Sequence, residues 1–335
     1  MLVRPSRVAV VLLLIIATIL IRRSSDSCYE NPGNPSSIPV KQLYLNDYGR
    51  QHDQKARAEI VEPSLKAAPK VAAEKAIVMG RLARDDVDWV AQDLPDWERY
   101  IYTVDNDNST LHTAVNKGKE AMPYLTFIID NYQNLPKTMA FLHSHRGGWP
   151  EAWHNDAPGY MAKNMLDKLK IDYVQRNGYA NLRCIHNPGC PGEMQMFRQP
   201  PQGELEVEGY MLEVWQRFFN STAPPHIIGT PCCAQFAVSR DQVLKRPLED
   251  YVHFRRWLLE TELIDDISGR IMEYLWHIIF GKEPVYCPGV EECSCQVFGR
   301  CDEYTYKAPP TQSSDTRLIE DSDRRRSQEV FQGQK

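Results

Sequence analysis

Three of the nine histidines lie in one short stretch, AFLHSHRGGWPEAWHND (140–156). His143 and His145 directly follow the apolar run 139–142, whereas His154 lies beyond two glycines and a proline. Neutral imidazole suits zinc, copper, iron or nickel, while carboxylates suit magnesium and manganese. We therefore predict that His143 and His145 hold a divalent metal or contact a substrate directly. His154 is not predicted to be a metal ligand.

A second candidate group opens the segment NKGKEAMPYLTFIIDNYQNL (116–135), whose apolar spacing predicts a helix. The free N–H groups and the dipole at a helix N-terminus favour an anion. We predict that Lys117, Gly118 and Lys119 contact a phosphate group at this entry. Glu120 is either a substrate contact or an acid that caps the helix.

A third group lies in SGRIMEYLWHIIFG (268–281), which predicts a helix closed by Gly281. Glu273 and His277 are four residues apart and share a helix face. Burying such side chains in an apolar helix is costly unless they have partners. We predict Glu273 as a general base, with His277 as its orienting partner or a further metal ligand. The alternative is a purely structural Glu–His pair.

The elements that must position these residues alternate along the chain. Strand and helix patterns in turn favour an α/β fold, a single Rossmann-like domain with a mostly parallel sheet and right-handed crossovers. Ligands bind at the carboxyl ends of strands in such sheets, where His143 and His145 fall on one face. The predicted strands are 76–83, 99–105, 138–145 and 235–239, and the predicted helices are 85–94, 116–135 and 268–281.

The strand AFLHSH resembles the strand of GT-A glycosyltransferases that ends in Asp-x-Asp, with His-x-His in its place. The resemblance implies a divalent metal held against the diphosphate of a sugar nucleotide. The histidines change the preferred metal, or contact the diphosphate directly without one. The entry NKGKE is also similar to an Asn-x-Gly-(Arg/Lys)-(Asp/Glu) element of some polysaccharide-synthesising glycosyltransferases.

Composition argues against nucleic acid as a partner. The 335 residues carry a net charge of −5 and no extended basic patch. The triplet Arg324-Arg325-Arg326 lies in a polar segment that also carries acids. We expect a small-molecule or glycan substrate, and contact with a membrane through the N-terminus.

The N-terminus predicts a membrane segment. Val8–Ile21 is an apolar run of 14 residues between arginines. As a helix it is about 21 Å long, against a bilayer core of about 30 Å, and the arginines can extend its usable length. We predict an uncleaved signal-anchor (1–23), a type II topology and a lumenal body. The alternative is a signal peptide cleaved before Cys28 and a secreted protein.

Eight of the nine cysteines lie in clusters between Cys184 and Cys301. In an oxidising lumen such clusters predict disulfides, and the alternative is a zinc site in the last cluster. The sequons at Asn108 and Asn220 predict N-glycosylation. Composition further predicts a stem at 24–75, an α/β globular domain at 76–305 and a disordered tail at 306–335.

The joint pattern of five motifs resembles a fungal membrane-associated family catalogued as a domain of unknown function. The resemblance spans about 76–301 and implies an N-terminal membrane segment and, for some members, a place in a biosynthetic gene cluster. The motifs are NKGKEAMPYLTFIIDNY, FLHSH…WHND, GYANLRC, CCAQFAVSR and EYLWHIIFG.

The sequence leaves three hypotheses for function. The first is a lumenal glycosyltransferase-like protein that acts on a glycan or secondary-metabolite acceptor. The second is a hydrolase or oxygenase that depends on a metal bound by His143, His145 and either His154 or His277. The third is a non-catalytic accessory protein of a biosynthetic pathway.

Overall fold

The structure is a computed structural model and describes residues 72–200, 206–219 and 222–301. The predicted anchor and tail lie outside these residues, as do Asn220 and almost all of the predicted stem. Over the described ranges, none of the helices has the length and apolar character needed to cross a bilayer.

Five strands form a central sheet, in the order β2-β1-β3-β7-β4. β1 pairs in parallel with β2 and β3, while β7 is antiparallel to both β3 and β4. A mixed α/β fold with a mostly parallel sheet is thereby confirmed, although the reversed direction of β7 was not predicted. The strands are β1 (Lys75–Arg81), β2 (Glu98–Thr103), β3 (Thr138–Leu142), β4 (Tyr179–Asn181), β5 (Met194–Gln195), β6 (Ile227–Ile228) and β7 (Phe236–Ser239), with β5 and β6 in a separate small sheet.

Helices cover both faces of the sheet. One apolar cluster joins a face of the sheet to α2, α5, α7 and α8, and a second joins the other face to α1, α3, α4 and α9. The helices are α1 (Asp88–Asp93), α2 (Ala121–Asp130), α3 (Ala162–Lys168), α4 (Ile171–Asn177), α5 (Glu208–Phe218), α6 (Arg240–Val243), α7 (Leu248–Glu260), α8 (Asp265–Ile279) and α9 (Val290–Phe298).

The strands are apolar on both sides because both sides are covered. In β3, Phe141 belongs to the first cluster, and its neighbours Ala140 and Leu142 belong to the second. A strand buried on both faces reads as a continuous apolar run rather than an alternating one. This pattern explains why MAFL precedes the histidines.

One predicted strand and one predicted helix are longer than the observed elements, and both differences lie near candidate residues. The strand predicted to reach 145 ends at Leu142, because the backbone N–H of His143 donates to the side chain of Gln235 instead of continuing the sheet. The helix predicted from 116 begins at Ala121, since Gly118 and Lys119 have positive φ angles of 65° and 53°. An added Cβ at Gly118 would lie 2.6 Å from the side chain of Leu258.

The eight clustered cysteines form four disulfides, as predicted, rather than a zinc site. Two of the bonds join segments about a hundred residues apart, and both tie the region after β4 to the last part of the described chain. These disulfides point to a lumenal or secreted location. The pairs are Cys184–Cys293, Cys190–Cys287, Cys232–Cys233 and Cys295–Cys301.

Candidate functional site

A cleft of about 590 Å³ lies at the carboxyl edge of the parallel strands. Its walls come from the exit of β3, the entry of α2, the segment just before β7, residues 266–274 of α8 and two loops. Five of the predicted site residues are among its lining: Lys119, Glu120, His143, His145 and Glu273.

The histidine-rich stretch folds back on itself at the cleft. The rings of His143 and His154 meet edge to face, with centroids 4.8 Å apart. Gln235 bridges the two residues, because its side-chain oxygen accepts from the backbone N–H of His143 and its side-chain amide donates to the carbonyl of His154. His154 therefore joins the cleft lining, a place that only the histidine–metal hypothesis gave it.

The cleft holds two of these imidazoles in their neutral form. Burial, with a smaller contribution from His154, holds the pKa of His143 well below its usual range. Burial likewise lowers the pKa of His154 to about 4. Within the described residues, Nε2 of His143 is buried and has no hydrogen-bond partner. A neutral ring with an unpartnered buried nitrogen is available to a ligand.

The helix entry reaches the cleft only in part. Asp265, at the start of α8, accepts a hydrogen bond of 3.1 Å from the backbone N–H of Gly118. Lys117 donates to the carbonyl of Leu263 and lies 3.6 Å from Asp265. Two of the groups predicted for phosphate are thus engaged within the protein. Of the predicted set, only Lys119 and Glu120 line the cleft.

Helix α8 packs directly on this entry. A Cβ at Gly269 would lie 3.1 Å from the side chain of Lys119 and 3.3 Å from the carbonyl of Gly118. The ammonium of Lys119 is 2.8 Å from the carboxylate of Asp266. The absence of a side chain at Gly269 therefore permits the contact between α8 and the entry of α2.

Glu273 lies in the cleft wall with its carboxylate held on two sides. The backbone N–H of Cys233 donates to it at 2.6 Å, and the guanidinium of Arg270 lies 3.5 Å away. Burial raises the pKa of Glu273, and Arg270 and the Cys233 N–H act in the opposite direction. The site thus combines a desolvated carboxylate with two groups that favour its charged form.

Glu120 is a second perturbed acid in the same cleft. Burial and then the charge of Glu273 raise its pKa to about 7. Two carboxyl groups with different environments can hold different protonation states at neutral pH. The pair can therefore supply both a proton acceptor and a proton donor.

His277 does not reach the cleft. Its ring is fully buried on the core side of α8, and Nε2 lies 3.1 Å from the carbonyl oxygen of Pro284. Burial lowers its pKa to about 4. The structure thus places it against Pro284, and the carboxylate of Glu273 is directed to Cys233 instead.

The described residues offer one group of three potential metal donors within 4.8 Å of one another, Cys232, Cys233 and Glu273. The two sulfurs are joined in a disulfide and are not thiolates, which are the form that binds metals. Imidazole is the chemically better donor, although within the described residues the nitrogens of His143, His145 and His154 do not all lie within 4.8 Å of one another as one three-donor group. These donors suit a transition metal better than magnesium.

Charge in the cleft favours a ligand that brings positive charge or none. Among the described lining residues, acidic side chains outnumber the basic side chains of Lys119 and Arg270 by five to two, although Glu120, with a pKa of about 7, is only partly ionised at neutral pH. An anionic diphosphate placed here needs a divalent cation to offset this balance. The carboxylates belong to Glu120, Glu151, Glu193, Asp266 and Glu273.

Sequence reasoning missed several residues of the cleft. Trp153 packs on His154 with ring centroids 4.5 Å apart, and Tyr274 adds a buried aromatic from α8. The adjacent cysteines Cys232 and Cys233 form a disulfide between neighbours in the chain. The doublet CC was the available signal, because adjacent cysteines just before a strand constrain the backbone there.

The first predicted glycosylation site lies away from these groups. Asn108 is exposed in the turn that follows β2, where its backbone N–H donates to the side chain of Asn106. An exposed turn is the setting that an N-glycosylation acceptor requires.

The fold and site define a disulfide-bonded α/β protein with one carboxylate- and histidine-lined cleft at the carboxyl edge of its sheet. The family model described as "Protein of unknown function (DUF3431)" matches residues 77–296, and the chain belongs to this family. The predicted membership of a family catalogued as a domain of unknown function is thereby confirmed. No curated protein and no solved structure matches the chain.

Proposed function

We propose that this protein is a lumenal glycosyltransferase with a GT-A-like, Rossmann-like domain, which transfers a sugar from a nucleotide donor to a glycan or secondary-metabolite acceptor. One observation carries the proposal. The α2 entry, the histidines after β3 and Glu273 come from three distant parts of the chain and line one cleft at the edge where α/β sheets bind ligands.

Glu273 is the general base of the proposed reaction. Its carboxylate takes the proton of an acceptor hydroxyl while the hydroxyl oxygen forms a bond to the anomeric carbon of the donor. The bond between that carbon and the diphosphate oxygen breaks, and the nucleoside diphosphate leaves with the electron pair. The Cys233 N–H and Arg270 orient Glu273 for this step.

Lys119, His143 and His145 face the diphosphate in this proposal. His143 and His145 would hold a divalent metal, with His154 beside them. Such a metal would stabilise the negative charge of the leaving diphosphate. The neutral state of His143 and the acidic lining of the cleft both favour a bound cation.

The proposed location is the Golgi or endoplasmic reticulum, with a type II anchor at 1–23 and a lumenal body. Four disulfides support an oxidising compartment. The apolar run Val8–Ile21 and its flanking arginines support the anchor. The alternative is a secreted protein whose signal peptide is cleaved before Cys28. N-terminal sequencing of the mature protein distinguishes the uncleaved anchor from this alternative.

A panel of sugar nucleotides, each with Mn²⁺ or Zn²⁺, tests the proposal. We expect at least one pair to raise the melting temperature and to be consumed when an acceptor is present. His143→Ala should abolish both effects, while unfolding free energy falls by less than about 1.5 kcal/mol, because no large apolar volume is removed. His226→Ala, at an exposed histidine outside the cleft, is the matched control.

The contact between His143 and His154 favours a second candidate, a hydrolase or oxygenase that depends on a histidine-bound metal. That function predicts stabilisation by Zn²⁺ alone, lost in both His143→Ala and His154→Ala. Stabilisation that requires a sugar nucleotide supports glycosyl transfer. If neither ligand changes the melting temperature, the accessory-protein hypothesis replaces both.

A further inference from the structure

The short segment before β7, Cys232-Cys233-Ala234-Gln235, connects the two chemical halves of the cleft. Its backbone reaches Glu273, because the N–H of Cys233 donates to that carboxylate. Two residues further along the chain, the side chain of Gln235 accepts from the backbone N–H of His143 and donates to the carbonyl of His154. The conformation of this segment therefore sets the position of both groups.

The segment adopts a backbone that its residue types do not favour. Cys233 and Ala234 have φ angles of 91° and 47°, although neither is glycine. Residues with a Cβ are rare at positive φ and remain there only when their surroundings impose it. The covalent bond between Cys232 and Cys233 closes a ring that contains the N–Cα bond of Cys233, so it constrains φ of Cys233 directly and Ala234 only as the next residue.

The Cys232–Cys233 disulfide also differs from the other three in what it can stabilise. Cys184–Cys293 and Cys190–Cys287 close loops of 109 and 97 residues, which restricts the unfolded chain. A bond between neighbouring residues closes almost no loop and cannot stabilise the fold in that way. Among the four, only its cysteines both line the cleft.

We propose that the Cys232–Cys233 disulfide is a positioning element for Glu273, and that its reduction by a small dithiol reversibly releases this carboxylate. The dithiol gives two electrons and two protons, the Cys232–Cys233 bond breaks to two thiols, and the dithiol becomes its own disulfide. The catalytic meaning of this step rests on the proposed function. The positioning itself does not.

The proposal is tested by two readouts, neither of which requires a substrate. The variant C232S/C233S is compared with the wild-type protein and with C295S/C301S, which removes another short-range disulfide whose cysteines do not line the cleft. We expect the amide at position 233 to exchange its hydrogen about tenfold faster in C232S/C233S, because its bond to a charged acceptor is lost. The pKa of Glu273, followed by carboxyl NMR, should rise by about one pH unit.

Reduction of the wild-type protein provides the second measurement if C232S/C233S does not fold. Graded dithiothreitol, alkylation and mass spectrometry should label Cys232 and Cys233 with the same dose dependence as the change in amide exchange. Reoxidation should restore slow exchange. Unchanged exchange at position 233 and an unchanged Glu273 pKa, with this bond reduced or removed in a folded protein, would overturn the proposal.

The outcomes separate this proposal from the proposed function. If amide exchange and the Glu273 pKa respond but no sugar nucleotide binds, the positioning role stands and glycosyl transfer fails. If transfer is found and both readouts stay constant, the positioning role fails alone. When both hold, the acidic limb of the pH–rate profile should move upward in C232S/C233S and stay in place in C295S/C301S.

Discussion

Two ionisable residues one turn apart on helix α8 lie in opposite settings. Glu273, just past the middle of the helix, lines the cleft and is held by Cys233 and Arg270. One turn later, His277 is enclosed by the core and contacts the carbonyl of Pro284. Burial favours the neutral form of both side chains, because it raises the pKa of Glu273 and lowers the pKa of His277.

This difference shows that a shared helix face does not make a chemical pair. Residues four apart are neighbours on an isolated helix, which was the basis for predicting that His277 orients Glu273. In the folded protein each side chain bonds to a different segment outside the helix. Glu273 therefore serves the site, and His277 serves the fold.

The largest effect is expected from Glu273→Gln, which tests the residue of this pair that lines the cleft. The amide oxygen can still accept from the Cys233 N–H, so the fold should be preserved while the base is lost. We expect the rate of sugar transfer to fall by about a thousandfold. Glu291→Gln, at an exposed acid on α9, should leave the rate unchanged. Equal rates in the two variants would remove Glu273 from the mechanism.

His277→Leu tests the buried residue of the pair through the pH dependence of stability. The pKa of His277 is about 4 in the folded protein, against about 6.5 when unfolded, so only the unfolded state gains a proton across this interval. The stability tied to the neutral ring is present above pH 6.5 and is lost as pH falls toward 4.

Relative to the wild type, His277→Leu should therefore gain about 3 kcal/mol of unfolding free energy between pH 7 and pH 4. Urea unfolding at a series of pH values measures this difference, and His226→Ala is the exposed control. A constant difference between wild type and His277→Leu would show that the histidine does not titrate as its burial implies.

Glu120→Gln should show a smaller effect of opposite sign. The pKa of Glu120 is about 7 in the folded protein and about 4.5 when unfolded, so its protonated form stabilises the fold at low pH. This contribution is complete below pH 4.5 and is lost as pH rises through 7. We expect the variant to gain about 2 kcal/mol relative to the wild type between pH 4.5 and 7.5, since partial exposure reduces the full effect. Urea unfolding of Glu120→Gln and wild type over the same pH series measures this gain. Curves of unfolding free energy against pH that stay parallel for the two proteins would contradict the prediction.

The smallest effect on stability is expected from Lys119→Met. Its ion pair with Asp266 is about half exposed, and such pairs contribute at most about 1 kcal/mol. Calorimetric titration should nevertheless show weaker binding of the sugar nucleotide that the wild type prefers. Lys163→Met, which removes a comparable surface ion pair on α3 outside the cleft, should leave binding unchanged. A loss of several kcal/mol in Lys119→Met would mean that Lys119 is structural.

The sequence by itself determined the alternation of elements, the strand before the histidines and the formation of disulfides. Apolar runs such as 139–142 specify a covered strand because every residue in them is buried. Clusters of cysteines downstream of a membrane-directing segment predict disulfides, because both features are visible in the sequence. These properties depend on neighbours in the chain, and the chain alone therefore reveals them.

Only the tertiary structure decided which polar groups meet. Asp265 occupies the Gly118 N–H that was predicted for phosphate, and Gln235 brings His154 to His143. Cys233, 40 residues before Glu273, supplies the hydrogen bond that His277 was predicted to give. Hydrogen bonds between distant segments depend on how strands and helices pack, and no local periodicity records them.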